Sequence, residues 1–80
     1  MLGTRYSKDD EDFRRALRAS RKKVGLSQIS LAEKLGTTQS TISKMERGEL
    51  RIDVIDFVYV CKALEVNPGK ILEDVFGENP

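Results

Sequence analysis

Three glycines and two hydroxyl side chains punctuate the middle of this chain, and their spacing constrains the fold more than any other feature. In Gly25-Leu-Ser-Gln-Ile-Ser-Leu-Ala-Glu-Lys-Leu-Gly36, Ser27 stands where a helix N-cap belongs and Gly36 where a left-handed residue stops the helix. The pattern repeats at once: Thr38 is the next cap, after the β-branched Thr37, and Gly48 the next stop. Leu31, Ala32 and Leu35 give the first of these helices one apolar face, while Ile42 and Met45, three apart, mark the buried side of the second. Two short helices joined by a tight glycine-containing turn must cross at a large angle, which is the helix-turn-helix arrangement.

The flanks read as helices that would hold this pair. An N-terminal helix is expected over about 8–24, capped by Ser7, with Asp9, Asp10, Glu11 and Asp12 at its positive end and Lys22 and Lys23 at its negative end. Phe13, Leu17 and Val24 mark its buried stripe, and Gly25 its stop. After a polar loop from Glu49 to Ile52, Asp53 can cap a fourth helix whose core stripe reads Val54, Phe57, Val58, Cys61 and Leu64. Asn67 followed by Pro68 starts a fifth, packed down by Ile71, Leu72 and Val75. With no alternating strand pattern, the expected fold is all-α, five helices in one domain over residues 8–76, with residues 1–7 as a flexible arm and 77–80 as a tail.

Eighty residues bury only about 60–70 % of the unfolded surface, so one small core must serve every helix and an enzyme cleft is hard to fit. There is no histidine, a lone Cys61 inside an apolar stripe, and no glycine-rich phosphate loop, so catalysis, metal sites and cofactors lack their usual residues. No secretion signal and no membrane-length apolar run is present, which leads to the expectation of a reduced, cytoplasmic protein without a membrane partner. With one domain expected, no small-molecule ligand is expected either.

A net charge of +1, from 14 basic and 13 acidic residues, hides an uneven distribution. Arg14, Arg15, Arg18, Arg21, Lys22 and Lys23 crowd one segment, and Lys44, Arg47 and Arg51 follow the central motif, leaving a basic middle between acidic ends. On the third helix, Ser40, Ser43, Lys44 and Arg47 face away from Ile42 and Met45. These mostly short polar side chains suit a helix lying in the major groove of double-stranded DNA, with Lys44 able to reach a guanine edge. Gln39, at the helix start, can pair bidentately with adenine. The open amides near Gln28 and Thr38 suit phosphate oxygens, as do Arg47 and Arg51.

With these residues in place, LRASRKKVGLSQISLAEKLGTTQSTISKMERG resembles the Cro/repressor-type, or Xre-like, helix-turn-helix family, and the resemblance runs from about Phe13 to Val75. It rests on Leu17, Arg18, Arg21, Gly25 to Gln28, Leu31, Ala32, Leu35, Gly36, Thr41 to Ser43 and Glu46 to Gly48, with LEVNPGKIL closing the pattern. The resemblance implies a lambda-repressor-like domain that binds operator DNA as a homodimer, with its third helix in the major groove. It also implies that Gln28 contacts phosphate, that Gln39, Ser40 and Lys44 read bases, and that Arg21 pairs with Glu46. The helical wheel independently sets Glu46 nearer the buried side than its neighbours.

Two features depart from the family pattern. Ile29 stands where a polar residue is usual, and Ile55 and Tyr59 make the fourth helix apolar on a second side. With Phe76, Ile55 and Tyr59 form a candidate self-complementary dimer patch. The functional expectation is a sequence-specific transcriptional regulator acting as a repressor. An antitoxin-type module that sequesters a protein partner is the alternative.

Overall fold

The computed structural model describes residues 7–77, and the residues expected to form most of the arm and the tail lie outside that range. Five α-helices occupy the described residues: α1 (Ser7–Lys23), α2 (Gln28–Leu35), α3 (Gln39–Arg47), α4 (Val54–Leu64) and α5 (Pro68–Phe76). Each of the last four begins on the side chain expected to cap it. Ser27 accepts from the Ser30 amide, Thr38 from Thr41, Asp53 from Asp56, and Asn67 from Gly69 and Lys70. Ser7 is the first helical residue of α1 instead of its cap.

The glycine stops are where the sequence puts them. Gly25, Gly36 and Gly48 have φ of 80°, 70° and 83°, a region open to glycine and costly to residues with a Cβ. Helix α4 ends differently, on Glu65 at φ 60°, the one non-glycine residue with positive φ among those described.

The core is a single cluster: Leu17 from α1, Leu31 and Ala32 from α2, Ile42 and Met45 from α3, Phe57, Val60, Cys61 and Leu64 from α4, and Ile71 from α5. Helix α2 packs on α3 and α4, while α1 packs on α3 and α5, so the central helix pair is clamped from two sides. Phe13 of α1 meets Phe57 of α4 with ring centroids 5.2 Å apart and planes tilted by 58°, the offset that the ring quadrupoles favour. Burial pushes the Cys61 thiol pKa up, which keeps it a protonated apolar filler.

Four expectations need correction. Val24, Val54 and Leu72 are exposed, by 43 %, 73 % and 43 %, while Val60, absent from the expected stripe, is buried. The α4 stripe is Phe57, Val60, Cys61 and Leu64, which keeps the i, i+3, i+4, i+7 spacing but starts one turn later. Val24 follows the last helical residue, and Val54 is the first residue of its helix, where the core has already ended. A further correction concerns charge: Arg14, counted in the basic segment, is buried, as is Arg21, whose pairing with Glu46 the resemblance implied.

Candidate nucleic-acid interface

Helix α3 is held from below by two arginines of α1. Arg14 is salt-bridged through Nε to Asp10 at 3.0 Å, and its Nη1 donates to the carbonyl of Met45, in the last turn of α3. It thereby adds a second donor to a C-terminal carbonyl that already accepts from the Gly48 amide at 3.2 Å. Gly48 passes beside the same side chain, with 3.5 Å from its would-be Cβ to Arg14 Cδ.

Arg21 makes the second anchor. Its Nε and Nη2 meet the two carboxylate oxygens of Glu46 at 2.6 and 3.0 Å, a bidentate fork. Its Nη1 donates to the Leu26 carbonyl at 2.9 Å, fixing the loop that leads into α2. The two side chains are 9 % and 3 % exposed, so this pair is an internal strut. Burial alone would raise the Glu46 pKa, but hydrogen bonds from Arg21 and Gln28, with the charges of Arg21 and Arg18, hold it below the ordinary 4.5.

From Glu46 the hydrogen bonds continue outward. Gln28 Nε2 donates to Glu46 Oε1 at 2.9 Å, and Gln39 Nε2 donates to Gln28 Oε1 at 3.3 Å. The start of α2 and the start of α3 are thus tied together, and the tie ends on an exposed side chain, Gln39. Ser40 and Lys44 lie exposed on the same helix and Ser43 is half-buried, with no side-chain hydrogen bond or ion pair on any of the three among the described residues. Thr38 is exposed at the N-cap, its hydroxyl engaged with the Thr41 amide and hydroxyl.

The basic residues beyond the helix divide. Arg47 is exposed and forks onto Glu49, at 2.9 and 3.3 Å. Arg51 lies apart, along a hollow of about 300 Å³ that it shares with Thr41, Met45 and Tyr59. Sequence reasoning passed over three groups: Arg14 as an internal cap, Glu49 as the partner of Arg47, and the Glu46–Gln28 link. The wheel position of Glu46 was a signal for the last, since an inward carboxylate must meet donors from α2 as well as α1.

Ile55, Tyr59 and Phe76 are exposed by 64 %, 57 % and 51 %. They do not line one hollow. Phe76 borders an apolar groove of about 530 Å³ with Phe13, Val54, Val58 and Leu72, whereas Tyr59 lines the hollow that holds Arg51. Ile29 is 54 % exposed on α2. Among the described residues no cluster of metal-ligating side chains occurs, and no helix is long and apolar enough to cross a membrane.

Comparison with known proteins places this geometry. A helix-turn-helix family model matches residues 17–71. An uncharacterized HTH-type transcriptional regulator of Sinorhizobium fredii, y4aM, is 33 % identical over 61 residues, which is 76 % of this chain and 43 % of that protein's length. Among solved structures, an XRE-family like protein from Pseudomonas syringae superposes with a TM-score of 0.88 at 29 % identity, with both chains covered fully. The restriction-modification controller protein C.AhdI from Aeromonas hydrophila gives a TM-score of 0.75 at 28 % identity, covering 84 % of this chain and 97 % of its own. Family and fold are those of DNA-binding regulators and not of enzymes. The chain belongs to the Xre-like helix-turn-helix family of DNA-binding regulators.

Proposed function

We propose that this protein is a sequence-specific transcriptional repressor of the cytoplasm that binds a pseudo-palindromic operator as a homodimer, with α3 in the major groove. The observation that carries the reading is the solvent face of α3. Gln39, Ser40 and Lys44 are exposed on a helix whose other side is locked into the core by Ile42 and Met45 and anchored by Arg14 and Arg21. A rigid helix with short polar side chains at its N-terminal end and one long cation is what groove entry requires.

Gln28, Thr38, Arg47 and Arg51 would contact phosphates and supply affinity, while Gln39, Ser40 and Lys44, with Ser43 beside them, would select sequence. Two half-sites about 34 Å apart would then be read by two copies. The exposed apolar side chains of α4 and α5, Ile55, Tyr59 and Phe76, support a self-association surface, since a two-fold interface uses one patch twice. Similarity to a restriction-modification controller protein and to an HTH-type transcriptional regulator favours transcriptional regulation over sequestration of a protein.

The test separates base readers from phosphate binders. Lys44→Ala is expected to relax base preference at one position of each half-site. Arg47→Ala is expected to weaken all sequences alike and to lower the salt slope of binding by about one. An Arg47→Ala chain whose salt slope equals that of wild type contradicts the phosphate role, and an unchanged preference in Lys44→Ala contradicts base reading.

A further inference from the structure

Arg47 does not stand free at the end of the solvent face of α3. Its Nε donates to Glu49 Oε2 at 2.9 Å and its Nη2 to Glu49 Oε1 at 3.3 Å, so the forked edge of the guanidinium is closed by a carboxylate. A phosphate fits the same edge in the same bidentate way. Both side chains are more than half exposed, so the pair sits in water and is open to exchange.

The backbone keeps the carboxylate there. Gly48 turns the chain back at φ 83°, and the Glu49 amide donates to the Lys44 carbonyl at 2.8 Å, which closes the end of α3 and ties Glu49 to its last turn. A carboxylate at this end of a helix meets the negative pole of the dipole, where it is unfavourable. Helix stability therefore gives no reason for an acid at this position, and an exposed pair with Arg47 adds little to the fold. The one carboxylate within α3, Glu46, has a side chain 3 % exposed and is taken up by Arg21. The polar face from Gln39 to Arg47 thus has no exposed acid of its own, and Glu49 brings one to its end.

A phosphate contact by Arg47 forces a choice. Carboxylate and phosphate are both anions, and holding both on one guanidinium brings two like charges side by side, which offsets the contact. We propose that Glu49 competes with DNA phosphate for Arg47 and so holds the affinity of the domain below what its basic residues alone would give. The proposal rests on the phosphate-contacting role of Arg47 proposed above and adds the residue that limits it. A phosphate contact carries no sequence information, so releasing Arg47 raises binding to matched and unmatched duplexes by the same factor.

The test is a double-mutant cycle of affinity for wild type, Glu49→Gln, Arg47→Ala and the two combined, with a melting curve for each chain. Binding is measured at one salt concentration, on a duplex selected by wild type from random DNA and on an unrelated duplex. Glu49→Gln keeps the size of the side chain and removes its charge. It is expected to tighten binding to both duplexes by roughly five-fold, with the melting temperature little changed. In the Arg47→Ala background the same substitution should gain less than about two-fold, since only screened repulsion between Glu49 and the DNA backbone is left to relieve.

A Glu49→Gln chain that binds no tighter than wild type overturns the proposal. So does an equal gain with and without Arg47, which would make Glu49 one more distant charge, or a gain on only one of the two duplexes. In each case, weaker binding by Arg47→Ala leaves the phosphate role standing. An Arg47→Ala chain that binds both duplexes as wild type does overturns that role and the proposal with it, as does a wild-type chain that binds neither.

Discussion

Glu46 carries more of this structure than any other polar residue, and its worth can be separated from that of an ordinary surface charge. Removing it leaves Arg21 buried with the two donors of its fork empty, a loss of about 3 kcal/mol or more. Glu49, three residues further on, faces Arg47 with both side chains more than half exposed, at 56 % and 57 %, where a pair contributes less than about 1 kcal/mol. Thermal melts should therefore show a large drop for Glu46→Ala and a small one for Glu49→Ala. Equal drops would contradict the buried strut. The difference also has a pH signature. Because folding lowers the Glu46 pKa below 4.5, its stabilisation is complete above that value and is lost as pH falls through the lower folded value. The gap between wild type and Glu46→Ala should narrow in acid, and a gap that widens there would have the wrong sign. At this scale the sequence was legible only in part. The wheel turned Glu46 inward and the family resemblance named Arg21 as its partner, but nothing in a segment of six basic residues distinguishes Arg14 from neighbours that stay in water. That distinction depends on where the C-terminal turn of α3 lands on α1.

The elements were legible because their ends are chemical. Ser27, Thr38, Asp53 and Asn67 each supply an oxygen to an open helix amide, a local rule that needs no knowledge of packing. Phase is a different matter. In α4, whose sequence is VIDFVYVCKAL, apolar residues stand on nearly every side, so periodicity alone could not decide between a stripe beginning at Val54 and one beginning at Phe57. Contact with α2 and α5 made the choice. The end of α4 carries the one cap that breaks the glycine rule, since Glu65 holds φ 60° with a Cβ in place. Glu65→Gly should relieve that strain and raise stability by about 0.5–1 kcal/mol, part of the gain being offset by the extra freedom of glycine in the unfolded chain. A lower melting temperature for Glu65→Gly would show that its side chain does more than end a helix.

For the whole molecule, the exposed surface is polar on α3 and apolar on parts of α4 and α5. One face presents α3 with its polar side chains; elsewhere α4 and α5 leave Val54, Ile55, Tyr59 and Phe76 largely uncovered. Sequence alone pointed to Ile55, Tyr59 and Phe76 but not to Val54, which the misplaced stripe had assigned to the core. If this surface joins two copies, Tyr59→Asp should sediment with a larger monomer fraction than wild type at equal concentration. A Tyr59→Asp chain as dimeric as wild type removes that residue from the interface. The division of faces is also what the central claim depends on. The most direct measurement is amide chemical-shift mapping of the protein titrated with a duplex selected from random DNA. Shifts should concentrate at the starts of α2 and α3, around Gln28 and from Thr38 to Lys44. Shifts confined to the groove between α1, α4 and α5, with α3 unmoved, would contradict the assignment of α3 as the helix that reads DNA.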